Sequence, residues 1–341
     1  MQSQKNIFVI DFKKEESENL VSTLSKCTGL EWEIVEHVAK KSQRKIEDLV
    51  RYWKYFSIPF GLFLRRRRYA NIIAWQQFYG ILFAFYCRMF HVKKRTHLTI
   101  LTFMYSPKSS FIGKVYRRFM HYAVCNDYVD QIVCFSEKEL VWYKEEFGFE
   151  NELIAYLPVA VRKIPYYDTS ISVEKYVFTA GHSGRDLDFV IRSLNDTNYK
   201  LLVADSMTKE TPSNNVTIDA QSTGQAMFEL MAHSYCFVTP LKDKLKSAGH
   251  LMSLQAMQMG KPVICTNSYG MRPYIKDGFN GIFIENTKED LLNALDKIYN
   301  DKKLYETMSN NALNTYDEYS YSKLAERIAS LDNDRHFLNR E

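Results

Sequence analysis

Residues 235–266 have the sequence YCFVTPLKDKLKSAGHLMSLQAMQMGKPVICT, and this stretch decides the fold. The short apolar runs at 235–240 and 261–266 are rich in β-branched and aromatic residues, which predicts two buried strands. Apolar residues recur at helical spacing over 248–260, which predicts a helix between them. Two strands joined through a helix form a parallel pair with a crossover, so the stretch predicts one unit of an α/β fold.

The same alternation extends through the second half of the chain. Strands of four to six residues that alternate with helices of about ten predict a parallel sheet covered on both faces. The further strands are predicted at 175–181, 200–205 and 281–285, and the further helices at 186–194, 225–234 and 288–299.

The first half repeats the alternation less regularly. Its predicted strands are 6–11, 30–36, 71–75, 98–103 and 131–135. Pro158 and Pro165 interrupt the periodicity and place a boundary between the halves. We therefore predict an α/β fold of two doubly wound domains, residues 1–160 and 161–341, which face a shared cleft and end in C-terminal helices.

Composition excludes several classes of protein. The 341 residues are 46% apolar and 25% charged, with only 13 glycines and 8 prolines, which excludes a disordered or collagen-like chain. The six cysteines show no metal-ligand spacing, which favours free thiols in a reducing, cytoplasmic compartment. The first apolar run is too short for a signal peptide.

The net charge of +5 is unevenly distributed. Residues 49–126 contain 14 Lys and Arg and 20 aromatic residues but no Asp or Glu. A solvated polar face and a nucleic-acid surface are both alternatives, but no nucleic-acid module accompanies the basic residues. We favour an anionic membrane surface and predict no nucleic-acid partner. The membrane-facing residues are predicted to be Arg65, Arg66, Arg67, Arg68, Lys93, Lys94, Arg95, Arg117 and Arg118.

The uncharged stretch 69–87 is long enough to be considered as a transmembrane helix. It contains Asn71, Gln76, Gln77 and Gly80, and its pattern changes partway. We therefore interpret it as a buried strand, a turn and a helix.

Two loops are candidates for binding a phosphate group. In TAGHSGRD (179–186), a strand ends in a loop with two glycines that let the backbone approach a ligand, and a helix follows with Asp186 as its N-cap. In the second loop, Ser247 is the expected N-cap of a helix whose free N–H groups would bind a diphosphate. The predicted ligand-binding residues are Gly181, His182, Ser183, Gly184, Arg185, Lys246, Ser247, Ala248, Gly249, His250, Leu251 and Gln255.

Residues 247–301, from SAGHLMSLQAMQMGKPVI through YIKDGFNG to the helix KEDLLNALDKIYN, resemble the nucleotide-sugar-binding half of GT-B-fold glycosyltransferases. The similarity is to the family-4-type group and related enzymes of bacterial polysaccharide synthesis. It implies two Rossmann-like domains and a nucleotide-sugar donor, with a UDP-sugar favoured over a GDP-sugar. It also implies that Arg185 stabilises the leaving diphosphate. Because a donor site of this kind binds the diphosphate with a helix dipole and basic residues, the resemblance implies no cofactor and no essential metal.

The chain departs from this family at two positions. Retaining members carry two glutamates where this sequence has Ser247 and Gln255, so retaining and inverting outcomes both remain open. An inverting enzyme needs a general base. Asp11, at the end of the first predicted strand, is the preferred candidate, and Glu137 is the second. His91, His97 and His121 are further options.

These features predict a hexosyltransferase, cytoplasmic and peripherally attached to the inner face of a bacterial membrane. It would extend a lipid-linked saccharide acceptor for capsule, exopolysaccharide or O-antigen. The alternatives are a sugar-nucleotide epimerase on the same fold and a non-catalytic partner of a glycosyltransferase complex.

Overall fold

A computed structural model of the chain describes residues 4–38, 45–165, 167–181, 183–205, 208–244 and 248–331, with the backbone alone over 45–52. The chain forms two compact units, Val159–Ser320 and a unit that runs to Pro158 and resumes at Tyr321. Each unit contains a six-stranded sheet with parallel strand pairing. The α/β prediction is therefore confirmed.

The first unit has the strand order β2-β1-β3-β4-β5-β6. Its strands are β1 (Lys5–Ile10), β2 (Trp32–Glu36), β3 (Tyr69–Ala74), β4 (His97–Ile100), β5 (Gln131–Cys134) and β6 (Ile154–Tyr156). Its helices are α1 (Glu18–Thr28), α2 (Lys45–Leu64), α3 (Gln77–Met89), α4 (Phe111–Val124) and α5 (Glu137–Phe147), together with the last helix of the chain, Tyr321–Leu331.

The second unit has the strand order β12-β11-β10-β7-β8-β9. Its strands are β7 (Tyr176–Ala180), β8 (Lys200–Ala204), β9 (Val216–Ile218), β10 (Cys236–Thr239), β11 (Val263–Thr266) and β12 (Gly281–Ile284). Its helices are α6 (Leu187–Leu194), α7 (Gln225–His233), α8 (His250–Gln258), α9 (Lys288–Asn300) and α10 (Lys302–Glu318). The last helix of the chain is α11.

The assignment of α11 differs from the sequence prediction, which gave all terminal helices to the second domain. Leu324, Ala325 and Ile328 are buried on α11, and this helix packs on α1 of the first unit. The ring of Tyr321 also lies 5.7 Å from the ring of Trp75. Burial of these apolar side chains therefore holds the last helix of the chain against the first unit.

The stretch 69–87 is divided between β3 and α3, as its pattern predicted. All six residues of β3 are buried, as are eight residues of α3. Within the described part of the chain, no helix combines the length and apolarity needed to cross a membrane.

Gly80 and Gly61 provide a test of the packing around α3. A Cβ at Gly80 would lie 2.7 Å from Cγ1 of Ile100, whereas a Cβ at Gly61 would meet no atom within 4 Å. We expect Gly80→Ala to lower the free energy of unfolding by about 1–3 kcal/mol, because the extra methyl overpacks the core. Gly61→Ala should raise it by up to about 1 kcal/mol, because alanine is the better helix former.

Denaturant unfolding of both variants measures the two effects. Equal stabilisation by the two substitutions would contradict the close packing of α3 on β3 and β4.

Candidate active site

The second unit brings its two candidate loops together at the carboxyl edge of its sheet. The strand order reverses between β7 and β10, and ligands of doubly wound sheets bind outside the strand ends at such a point. The backbone N–H of Asp186 donates to the carbonyl of Pro240 over 3.0 Å, and that of Lys242 donates to the carbonyl of Gly184 over 3.0 Å. A Cβ on Gly184 would lie 3.3 Å from Cβ of Ala248.

Arg185 occupies the centre of this arrangement. Its side chain is 7% exposed, and its buried Nε has no hydrogen-bond partner among the described residues. Cβ atoms on Gly181 and Gly249 would lie 3.9 Å from Nη2 and 3.4 Å from Nη1, so both glycines lie directly beside the guanidinium. Burial lowers its pKa to about 10, which leaves it charged at neutral pH. A buried cation without a described carboxylate partner is suited to bind an anion.

The start of α8 adds backbone donors beside this guanidinium. Its N-cap is Gly249, which has a φ of +97° and no side chain to cap the free N–H groups. These groups and the positive end of the helix dipole favour an anionic ligand. The N-cap is thus Gly249 and not Ser247, so the predicted cap was wrong, because α8 begins only at His250. Ser247, His182 and Lys246 lie outside the described residues.

His250 is a buried, neutral residue of the first turn. Its Nε2 lies 2.9 Å from the carbonyl oxygen of Gly270, so Nε2 carries the proton and donates. Burial, more than the repulsion by Arg185, lowers its pKa to about 4. His250 therefore orients the turn and adds no charge at neutral pH.

The other predicted residues of this site differ in exposure. Leu251 is 56% exposed at the helix start, and Ser183 and Gly184 are exposed in the loop. Gln255 is half-buried, and its amide makes no hydrogen bond with the described residues, so it is available to a ligand. Asp186 caps α6 as predicted, since its Oδ1 accepts from the N–H of Phe189 over 3.2 Å.

One buried carboxylate at this edge was missed by the sequence analysis. Asp205 directly follows β8 and is 6% exposed.

Lys244, from the lysine-rich loop, forms an ion pair with Glu285, which directly follows β12. The charge of that lysine is therefore already balanced.

The first unit places Asp11 where its own strand order reverses, between β1 and β3. Burial raises the pKa of the Asp11 carboxyl. The negative charge of Asp11 in turn helps to raise the pKa of Tyr79, after the larger effect of burial. The ring of His37, which follows β2, lies 6.1 Å from the ring of Tyr79 at a steep angle. Asp11, His37 and Tyr79 thus form one cluster at the carboxyl edge.

His37 was not among the sequence candidates. Burial lowers its pKa, and the nearby positive charges of Lys54 and Arg65 lower it further. The histidines that were considered lie elsewhere: His97 begins β4 at the amino edge, and His91 follows α3. His121 is on α4, with Nε2 3.8 Å from Glu146.

Glu137 is exposed in the first turn of α5, after β5. Three strand spacings separate β5 from β1, which is about 14 Å. Asp11 and Glu137 are therefore too far apart to act on the same proton. Glu139, two residues after Glu137, is more buried than Glu137, and burial raises the pKa of the Glu139 carboxyl.

The nine candidate membrane-facing residues fall into two groups. Arg65–Arg68 precede β3 and Lys93–Arg95 precede β4, so both runs lie at the amino edge of the first sheet. Arg117 and Arg118 lie on α4 instead. Three of the nine are engaged within the protein: Lys94 pairs with Asp130, Arg117 pairs with Glu146, and Arg66 lies over the ring of Phe63. No group of three or more metal-ligating side chains occurs among the residues that the structure describes.

Residues 189–315 match the family model described as glycosyl transferases group 1. The matched residues lie within the second unit, which is therefore similar to a glycosyltransferase group 1 domain. No curated protein sequence matches the chain.

Solved structures are similar in fold over the whole chain. Sucrose-phosphate synthase from Thermosynechococcus elongatus is 12% identical with a TM-score of 0.68, and the alignment covers 97% of this chain and 98% of that one. HepE of Anabaena in complex with UDP and glucose is 13% identical with a TM-score of 0.62, covering 98% and 100%. WaaG, a glycosyltransferase of lipopolysaccharide biosynthesis, is 17% identical with a TM-score of 0.57, covering 96% and 99%. The chain thus has the fold of GT-B glycosyltransferases.

Arg185 provides the most direct test of the glycosyltransferase site. We expect UDP to raise the unfolding temperature of the unaltered protein, and Arg185→Gln to abolish that rise. Turnover of the donor should fall on the order of 10²–10³-fold, as when a preorganised charge contact is removed. The unfolding temperature without UDP should not fall, because the variant no longer buries an unpaired charge.

Arg192→Gln is the matched control, since Arg192 is exposed on α6 and pairs with Glu210 over 2.7 Å. An Arg185→Gln protein that keeps the full UDP response would exclude Arg185 from the site.

Asp11→Asn tests the first unit. We expect kcat/KM to fall about 10²–10⁴-fold, the usual contribution of a general base. In the unaltered enzyme, kcat/KM should decrease as the pH falls through the raised pKa of Asp11, because only the carboxylate accepts a proton.

Asp11→Asn should lower activity without lowering stability. Because the pKa of Asp11 is raised in the native state, ionisation of this carboxyl lowers the free energy of unfolding as the pH rises through that pKa. The neutral asparagine avoids this loss, so it should not lower the free energy of unfolding. Glu137→Gln is the control and should retain activity. A larger loss of activity in Glu137→Gln than in Asp11→Asn would instead identify Glu137 as the base.

Proposed function

We propose that this glycosyltransferase moves a hexosyl group from a UDP-sugar to a lipid-linked saccharide at the inner face of a bacterial membrane. The products would serve capsule, exopolysaccharide or O-antigen synthesis. The observation that carries the donor part is the buried, unpaired guanidinium of Arg185 beside the uncapped start of α8. The UDP and glucose in the structure of HepE support UDP as the nucleotide.

The chemistry follows from the charges at this site. When the glycosidic bond to the donor breaks, negative charge develops on the diphosphate that leaves. Arg185 and the N–H groups at the start of α8 would stabilise that charge without rearrangement, because they are already held in place. Since these groups supply positive charge, we propose that the enzyme needs no metal ion.

Asp11 fits an inverting reaction, in which a base removes the proton of the acceptor hydroxyl as that oxygen attacks the anomeric carbon. A retaining reaction remains the alternative. The anomeric configuration of the product, read by proton NMR, distinguishes the two.

Incubation with a panel of UDP- and GDP-sugars tests the donor assignment. We expect slow release of UDP from at least one UDP-sugar, undiminished by EDTA. Interconversion of sugars without UDP release would instead indicate an epimerase, and binding without turnover a non-catalytic partner. Activity lost in EDTA and restored by Mg²⁺ would contradict metal independence.

The exposed face of α4 supports the membrane part of the proposal. Phe111, Ile112 and Val115 are 79%, 77% and 52% exposed in its first two turns. Lys114 and Arg118 are exposed on the same helix, and neither is in an ion pair with a described carboxylate. An amphipathic helix with exposed apolar and basic residues is typical of a membrane-surface contact.

Vesicle sedimentation tests this attachment. We expect binding to anionic vesicles that weakens with salt and little binding to neutral ones, since each Lys or Arg near an anionic surface contributes about 1 kcal/mol. Ile112→Ser should reduce binding, whereas Val141→Ser, at an exposed valine of α5, should not. Equal binding to both vesicle types would contradict an anionic membrane partner.

A further inference from the structure

A closed ring of three hydrogen bonds holds the loop that pairs with Arg185. The backbone N–H of Leu241 donates to the hydroxyl of Thr266 over 2.7 Å, and that hydroxyl donates to Oδ1 of Asn286 over 2.6 Å. The amide of Asn286 closes the ring, because its Nδ2 donates to the carbonyl of Leu241 over 2.9 Å. Both backbone groups of Leu241 are therefore held by side chains from the carboxyl ends of β11 and β12.

Leu241 is also the residue opposite Arg185 in the second unit. The two residues form an isolated antiparallel β-bridge. Its hydrogen bonds run from the N–H of Asp186 to Pro240 and from the N–H of Lys242 to Gly184, so the peptide groups on both sides of Arg185 are fixed to residues 240–242. The position of the Arg185 backbone therefore depends on the loop that the ring holds.

The guanidinium of Arg185 has no closer support from hydrogen bonds. It makes no hydrogen bond or ion pair with the residues that the structure describes. Its place beside the start of α8 is therefore set by its backbone and by packing contacts. A charge stabilises a transition state only when it is held where the opposite charge develops, and a misplacement of about 1 Å costs on the order of 10²-fold in rate.

The ring is built from residues that hold a fixed geometry. Leu241 and Thr266 are each 1% exposed, so loss of a partner would leave a buried polar group unsatisfied. Asn286 has a φ of +59°, a left-handed conformation that asparagine adopts more readily than most residues. Position 286 therefore requires a residue that tolerates this backbone and has an amide that donates to Leu241.

We infer that Thr266 and Asn286 are positioning residues for the leaving diphosphate, and that they act through Leu241 and the backbone of Arg185. The inference rests on the proposed function, because it assigns the two residues to the charge contact of that reaction. Since they act through Arg185, their effect on turnover should be lost when the guanidinium itself is removed.

Thr266→Val removes the hydroxyl at nearly the same side-chain volume. We expect donor turnover to fall about 10- to 10²-fold and the UDP-induced rise in unfolding temperature to shrink, because the loop and Arg185 shift. Thr266→Ser keeps the hydroxyl and should retain both. Asn286→Asp tolerates the same backbone but presents a carboxylate oxygen to the carbonyl of Leu241, so it should behave like Thr266→Val.

Ser234→Ala is the matched control for a general loss of stability. Ser234 is fully buried just before β10, at the amino edge of the sheet, and its hydroxyl donates to the carbonyl of Met231 over 2.7 Å. This variant should lower the unfolding temperature without changing turnover or the UDP response. Equal losses of turnover in Ser234→Ala and Thr266→Val would overturn the inference, as would full turnover in Thr266→Val.

The decisive measurement combines Thr266→Val with Arg185→Gln. Because a residue that acts through another has no separate effect once the other is gone, the double variant should turn over the donor within about twofold of Arg185→Gln alone. Losses that multiply would show that Thr266 acts by another route and would overturn the inference.

The failure of this inference is distinguishable from failure of the proposed function. UDP release by the unaltered protein and by Thr266→Val alike overturns the positioning role alone. A UDP-induced rise in unfolding temperature that Thr266→Val reduces, in a protein that releases no UDP from any donor, contradicts the transferase function and leaves the ring as the support of a diphosphate site. A protein that neither binds nor releases UDP contradicts both.

Discussion

Parallel strand pairing is the constraint on which the rest of the molecule depends. In a parallel sheet all carboxyl ends meet at one edge and all amino ends at the other, so segments far apart in sequence become neighbours. In the second unit this brings Arg185 to the start of α8, and in the first it brings Asp11 to His37. The same constraint collects the runs at 65–68 and 93–95 at the opposite edge. Most of the basic charge of these two runs thus lies at the edge of the sheet opposite Asp11.

The electrostatics of Arg185 connect stability to function. A guanidinium that is 7% exposed has given up most of its hydration, and the described residues provide no carboxylate in return. A bound diphosphate would supply the missing opposite charge, so that the free energy lost on burying Arg185 is recovered on binding.

The sequence predicted the elements better than the interactions between them. Five of the six strands of the second unit, its helices, the cap at Asp186 and the division of 69–87 follow from local periodicity, which one sequence records directly. The short strand β9 was missed, because three residues are too few to show a period. The position of α11 could not be predicted, because its amphipathic face indicates burial but not the partner, α1. His37 was missed for a similar reason: nothing in the segment 30–38 signals that its ring meets Tyr79, more than forty residues later. The basic run 65–68 was predicted to face a membrane together with Arg117 and Arg118, but the start of β3 places the run at the amino edge of the sheet, whereas those two residues lie on α4.

The position of the diphosphate is the central claim of this account. A crystal structure of the protein with UDP tests it most directly. The account predicts diphosphate oxygens within about 3 Å of the guanidinium of Arg185 and of the backbone N–H groups at the start of α8. A diphosphate bound away from Arg185, at another edge of the sheet, would contradict it.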